Sequence, residues 1–218
     1  MAFVDDCPPI VVERVMREDL ADSESSELFS WIAGNASLDC QVKALIAVAD
    51  RLDKNSHPQV IGDFTSSVAT YARFLTPLGV EQIKSAYLRV RYDETVAAQY
   101  FLGLRATKID IRPHLERRVE VDWSFEHPRQ NAATWHYYLY LASLEDPAAI
   151  EALGEKLAST ENGNDLTNLL QSLSEVEGEN VTSLLRAYEN DMRRADGTEA
   201  PGMPISENVK LWLSMREQ

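Results

Sequence analysis

The side chains able to do chemistry gather once along this chain. Arg117, Arg118, His127, Trp135, His136, Tyr137 and Tyr138 bring cations, imidazoles and polar aromatic rings into one short stretch. Such a set suits a pocket for an anion or a peptide, held by stacking and by cations over ring faces. The candidate pocket is therefore Arg117, Arg118, His127, Trp135, His136 and Tyr138. The competing account is a helix packed on the core with its tyrosine hydroxyls reaching water. The four histidines, His57, His114, His127 and His136, follow no metal-ligand spacing, since HExxH and HxH are both absent. His57 and His127 each precede a proline, which places both at helix entries. No GxxxxGK[ST] or GxGxxG phosphate loop occurs, and no GxSxG elbow. No metal, nucleotide or other cofactor is expected, and no residue is assigned a catalytic role.

Cys7 and Cys40 are the only cysteines, too few for a secreted disulfide framework and not in CxxC spacing. The expectation is a reduced, cytoplasmic protein with no thiol chemistry. Asp5 and Asp6 stand where a signal peptide needs cations. No stretch approaches the roughly 18 apolar residues of a membrane helix, so no membrane is expected as a partner.

Carboxylates dominate the charge. The net charge is −14, and residues 1–83 carry 13 acids against 6 bases, residues 130–218 15 against 6. Only residues 84–129 reverse the balance, with 7 acids and 9 bases. Binding to nucleic acid needs Lys and Arg to displace counterions from phosphates, and most of this chain repels them. Between Glu145 and Leu185 nine acids face one base, Lys156. Glu151, Glu155, Asp165, Glu175, Glu177 and Glu179 are expected to crowd one exposed side and form a face for a basic protein partner. Glu13 with Arg17, and Asp50 with Lys54, have the spacing of ion pairs on solvated helix faces. Arg193 and Arg194, among Glu189, Asp191 and Asp196, fit the negative end of the preceding helix.

The elements that must position these groups are amphipathic helices. Ile10, Val11, Val12, Val15 and Met16 follow Pro9; Leu28, Phe29, Trp31 and Ile32 precede a Gly34-Asn35 stop. Ser37 caps a stripe of Leu38, Val42, Leu45, Ile46, Ala49 and Leu52. His57-Pro58 opens Val60, Ile61, Phe64, Val68, Tyr71 and Leu75, which must stop before Thr76-Pro77. Further stripes are Val80–Val90, Val96–Leu104, Thr134–Leu141, Ile150–Leu157, Leu166–Val176, Val181–Met192 and Ile205–Leu213, the last capped by Ser206. Val119, Val121, Trp123 and Phe125 alternate with polar residues, as in a strand that would need a partner such as Leu88–Tyr92. An irregular connection burying Trp123 and Phe125 is preferred, because no hairpin turn adjoins them.

DPAAIEALGEKLAST followed by NDLTNLLQSLSEV resembles a HEAT-type helix pair, and VTSLLRAYENDMRR followed by ISENVKLWL resembles a second. The likeness is clearest over residues 131–218 and looser over 37–104. It implies an all-α fold of antiparallel helix hairpins stacked as a short α-solenoid, with a compact helical bundle as the alternative. It also implies a binding surface rather than an active site. The expectation is a single helical domain over residues 1–218, with a soft division near residues 105–130. Its function reads as non-catalytic binding of a basic protein, as an immunity or antitoxin-type protein or an adaptor. The alternative is a small-molecule binder or enzyme using the His, Tyr and Arg pocket around residues 117–140.

Overall fold

The computed structural model describes residues 7, 9, 22–115, 128–197 and 200–216. The helix expected after Pro9, the Glu13–Arg17 pair and the alternating stretch from Val119 to Phe125 lie outside them. Among the described residues the protein is all-α apart from one small hairpin, with eleven α-helices. It forms two compact units, Met1–Tyr137 and Tyr138–Gln218.

The first unit holds α1 (Asp22–Asn35), α2 (Leu38–Arg51), α3 (Pro58–Tyr71), α4 (Pro77–Arg89), α5 (Ala97–Thr107), α6 (Arg112–Leu115) and the start of α7 (Pro128–Ser143). The starts of α2, α3 and α4 have a local chemical cause. Ser37 Oγ accepts from the Cys40 N–H at 3.3 Å, and Thr76 Oγ1 accepts from the Gly79 N–H at 3.1 Å. His57 takes the same role ahead of Pro58, its Nδ1 accepting from the Gln59 N–H at 3.2 Å. Proline at the first helical position gives up an N–H that had no partner there anyway.

The buried stripe on α2 is broader than expected: Leu45, Ile46, Ala49 and Leu52 are buried as read from the sequence. Leu38 sits in the first turn and is 42% exposed, while Cys40, Ala44, Leu45, Val48 and Ala49 are buried. Helix α3 ends at Tyr71 and gives way to a tight turn, Ala72–Phe74, so Leu75 lies beyond the helix. Leu88 is helical and Val90–Tyr92 runs extended without a ladder, so no strand pairing forms there.

Helix α3 packs against α1, α2 and α5, and the core of this unit is aromatic. Tyr100 receives Tyr87 and Tyr92 edge-on, with ring centroids 4.9 and 5.4 Å apart, and Phe101 continues the cluster to Tyr137. Edge-to-face rings add about 0.5–1.5 kcal/mol per pair beyond their buried area. Gly103 of α5 permits the close approach, lying against the Tyr87 hydroxyl of α4 and the Thr65 carbonyl of α3.

The reduced state expected for the two cysteines is corrected here. Cys7 and Cys40 form a disulfide with Cα atoms 5.2 Å apart, tying the start of the chain to α2. The α2 stripe explains half of this: it turns Cys40 inward, where it is fully buried.

The second unit holds the rest of α7, then α8 (Pro147–Ser159), α9 (Gly163–Ser174), α10 (Glu179–Arg186), a hairpin of β1 (Arg194–Gly197) and β2 (Ala200–Pro204), and α11 (Ile205–Arg216). Asp146 caps α8 by accepting from the Ala148 and Ala149 N–H groups, and Asn162 caps α9 in the same way. Their stripes meet in a core of Leu153, Leu157, Leu166, Leu170, Leu173, Val181, Leu185, Val209 and Leu213.

Three expectations change in this unit. Helix α10 ends at Arg186, so Met192 lies outside it and is 72% exposed. Ser206 does not cap the last helix; it is buried in the first turn, with its N–H donating to the Asp191 carbonyl at 3.0 Å. The break at Ala195-Asp196-Gly197 is the first strand of the hairpin, antiparallel in the register Gly197 to Ala200 and Asp196 to Pro201, with a bulge before Arg194 meets Pro204.

Two arginines close helix ends from a distance. Arg216 Nη2 donates to the carbonyls of Leu173, Ser174 and Val176 at 3.1, 2.8 and 2.5 Å, which ends α9. Arg193 clasps Asp191 and donates Nη1 to the Thr160 carbonyl at 2.8 Å. Arg193 thus serves the C-terminus of α8 rather than that of its own preceding helix, because α10 has already stopped. Each supplies donors to carbonyls that a helix end leaves without partners.

Candidate functional site

Of the pocket residues expected from the sequence, Arg117, Arg118 and His127 lie outside the described residues. Trp135 and its neighbour Tyr137 are core residues, 6% and 7% exposed. Tyr138 is half-buried. His136 has a buried Nδ1 with no hydrogen-bond partner among the described residues. Burial first, and the positive charge of Arg105 second, push its imidazole down to about 4. His136 is neutral near pH 7 and supplies no cation to an anion.

The acidic residues of the second unit take an open arrangement. Glu151 and Glu155 on α8, Asp165 on α9, and Glu175, Glu177 and Glu179 around the turn into α10 are all exposed. Helical spacing accounts for this, since Leu153, Leu157, Leu166 and Leu170 occupy the inward face of the same helices. Two cations temper the charge locally. Lys156 lies near Asp165, and its pKa is lowered by partial burial against the opposing pull of that carboxylate. Arg216 lies near Glu177, and burial lowers its pKa while Glu177 raises it.

A second arrangement, of opposite sign, lies in the first unit. A cleft of about 680 Å³ is lined by Lys54, Asn55, Arg89, Val90, Arg91 and Tyr92. Two connections build it. Helix α2 stops at Arg51, so Lys54 leaves the helix and the expected Asp50–Lys54 ion pair does not form. Asp53 then folds the loop into a tight turn, accepting from the Asn55 N–H at 2.7 Å while its own N–H donates to Ser56 Oγ at 3.0 Å. After α4 the chain runs extended, which buries Val90 and Tyr92 and turns Arg91 out to solvent.

Arg89 joins the two connections. Its Nε donates to the Leu52 carbonyl at 3.1 Å and its Nη2 to the Ala49 carbonyl at 2.6 Å. These bonds end α2 and leave Arg89 other N–H groups. The acids beside the cleft are already engaged. Asp53 holds the turn, and Asp93 accepts from both the N–H and the hydroxyl of Thr95, which holds its carboxyl below the usual carboxylate range. The Lys54 ammonium, the Asn55 carboxamide and the Arg91 guanidinium have no hydrogen-bond partner among the described residues. Tyr92 lines the cleft at 8% exposure, and its buried hydroxyl is also without one.

No protein-family model, curated protein or solved structure matches this chain. Among the described residues no helix is long and apolar enough to cross a membrane, and no group of three or more His, Cys, Asp or Glu side chains is placed to hold a metal ion.

The cleft residues were not singled out from the sequence. The signal present was the excess of bases over residues 84–129, the one segment where the charge reverses. Nothing in it points to Lys54, which joins Arg91 only because Arg89 ties α4 to the end of α2.

Proposed function

We propose that the protein is a non-catalytic helical-repeat binding protein whose acidic face on α8–α10 receives a basic protein partner. The reading rests on one observation. Glu151, Glu155, Asp165 and Glu179 stand exposed on helices, and Glu175 and Glu177 in the turn between two of them, while the apolar stripes of those helices are consumed by their own core. Like charges at that density repel one another, a cost that a cationic surface relieves on binding. Electrostatic complementarity of this kind mainly accelerates encounter and rejects wrong partners.

The sequence likeness of residues 146–176 and 181–213 to HEAT-type helix pairs supports this role, since such arrays serve as binding surfaces. Its concrete form is an immunity or antitoxin-type protein that neutralises a basic toxin, or an adaptor for a basic protein. The test replaces Glu151, Glu155 and Glu175 by lysine together. Partners retained by the wild-type protein are identified, and association rates are measured at about 0.05 and about 0.3 M salt, across which the screening length shortens about 2.5-fold. A basic partner should associate at least tenfold more slowly with the folded variant, and more slowly with salt for the wild type. A rate unchanged by reversal and by salt would reduce the acidic face to a solvated surface.

A further inference from the structure

In a protein of net charge −14, the cleft between the α2–α3 turn and the α4–α5 connection concentrates cations. Among the described residues that line it are Lys54, Arg89 and Arg91. At physiological salt the screening length is about 8 Å, so a ligand in the cleft responds to these groups more than to acids on the other helices. Acids also stand beside the cleft: Asp53 accepts from the Asn55 N–H, Asp93 accepts from the Thr95 N–H and feels the Arg91 charge, and Glu94 acts on Tyr92.

The donor set has a definite character. Arg91 offers a planar fork, Lys54 a compact charge, Asn55 an amide, and Arg89 the N–H groups left after it ends α2. All are donors of the kind that serve a compact, multiply charged oxyanion, and none requires a metal. An arginine beside a lysine matches a phosphate group better than a single carboxylate, because the several phosphate oxygens accept from several directions. The volume falls within the range of small-molecule sites, about 300–1,000 Å³.

We propose that this cleft binds the phosphate group of a small soluble ligand, with Arg91 and Lys54 as the charge contacts, Asn55 as an amide donor and Arg89 as the fixed anchor. Its residues belong to the first unit and those of the acidic face to the second, and binding in the cleft involves no chemical step. A protein that meets a basic partner through one unit thereby carries a receptor for an anionic small molecule in the other.

The experiment titrates the full chain with inorganic pyrophosphate, followed by calorimetry and by backbone amide shifts. Succinate serves as a dianion without phosphate. Wild type is compared with Lys54→Ala/Arg91→Ala, two exposed side chains whose removal leaves the core untouched, and with Lys210→Ala as a cation control. Saturable pyrophosphate binding is expected, with shifts confined to residues 52–57 and 89–93. The dissociation constant should rise at least tenfold in the double variant and stay unchanged in the control, and succinate should bind at least tenfold more weakly. Absence of saturation up to about 10 mM pyrophosphate, or equal binding by the double variant, would overturn the site. Equal affinity for succinate would overturn the phosphate assignment.

Discussion

Gly103 of α5 lies against the Tyr87 hydroxyl so closely that no side chain fits between them. A Cβ at position 103 would collide with that hydroxyl and would stand 2.7 Å from the Thr65 carbonyl oxygen. The contact lets α5 approach α3, while Tyr87 donates its hydroxyl to the Tyr100 carbonyl at 3.4 Å. Gly103→Ala should therefore destabilise the protein by about 1–3 kcal/mol through overpacking, although alanine is the better helix former. Urea unfolding measures it. Removing the hydroxyl in Tyr87→Phe should recover part of the loss, making the double variant less damaged than the sum of the two. Full stability in Gly103→Ala would mean that the two helices do not meet in this way.

The Cys7–Cys40 bridge closes a separation of 33 residues. A loop of that size, on the chain-entropy account, contributes about 3–4 kcal/mol by restricting the unfolded chain. Cys7→Ser should lower stability by about that amount under non-reducing conditions, and a reductant should bring the wild type to the same midpoint. Cys7 is the better position to change, since it is half-buried whereas Cys40 is fully buried and its replacement would also disturb packing. Equal midpoints for wild type and Cys7→Ser, with free thiols counted in the wild type, would remove the bridge from the native protein.

Helix entries were the most legible part of the sequence, because each is set by chemistry within a few residues. Ser37 and His57, read as helix entries, act through Oγ and Nδ1 on N–H groups three and two positions ahead; Thr76 and Asn162, read only as breaks, cap in the same way, and Ser206, read as a cap, does not. The hairpin was missed for a corresponding reason. Asp196-Gly197 is a strong turn signal, but Arg194–Gly197 and Ala200–Pro204 contain no β-branched residue and no alternation to flag them as strands. The exposure of the six acids followed from helical periodicity. The cationic cleft and the disulfide did not, since each joins residues more than thirty positions apart through tertiary packing. The reach of Arg193 to Thr160 was hidden in the same way, once α10 ended earlier than its apolar spacing implied.

His136 makes stability depend on pH over a window of its own. Its folded-state pKa is about 4, against 6.5 for an unperturbed imidazole, because burial and the Arg105 charge disfavour the cation. Between those values the unfolded chain binds a proton that the folded protein refuses, so stability rises with pH. The contribution is fully present above pH 6.5 and is lost as pH falls toward about 4, by an amount on the order of 3 kcal/mol. Asp93, Asp110 and Asp191 act lower on the scale. Side-chain hydrogen bonds from Thr95, Arg112 and Arg193 hold them below the usual carboxylate value of 3.8, so their stabilisation is present above that value and is lost only below it. The windows separate cleanly, and a variant can test the upper one alone. His136→Phe keeps a ring of similar size and removes the titrating group, and Nδ1 gives up no hydrogen bond among the described residues. Urea midpoints at pH 7.0, about 6, about 5 and about 4.5 should fall steadily for the wild type and stay nearly level for the variant. Parallel curves for the two proteins would show that His136 takes up its proton in the folded state at an ordinary pH, and that Arg105 and burial leave its charge unopposed.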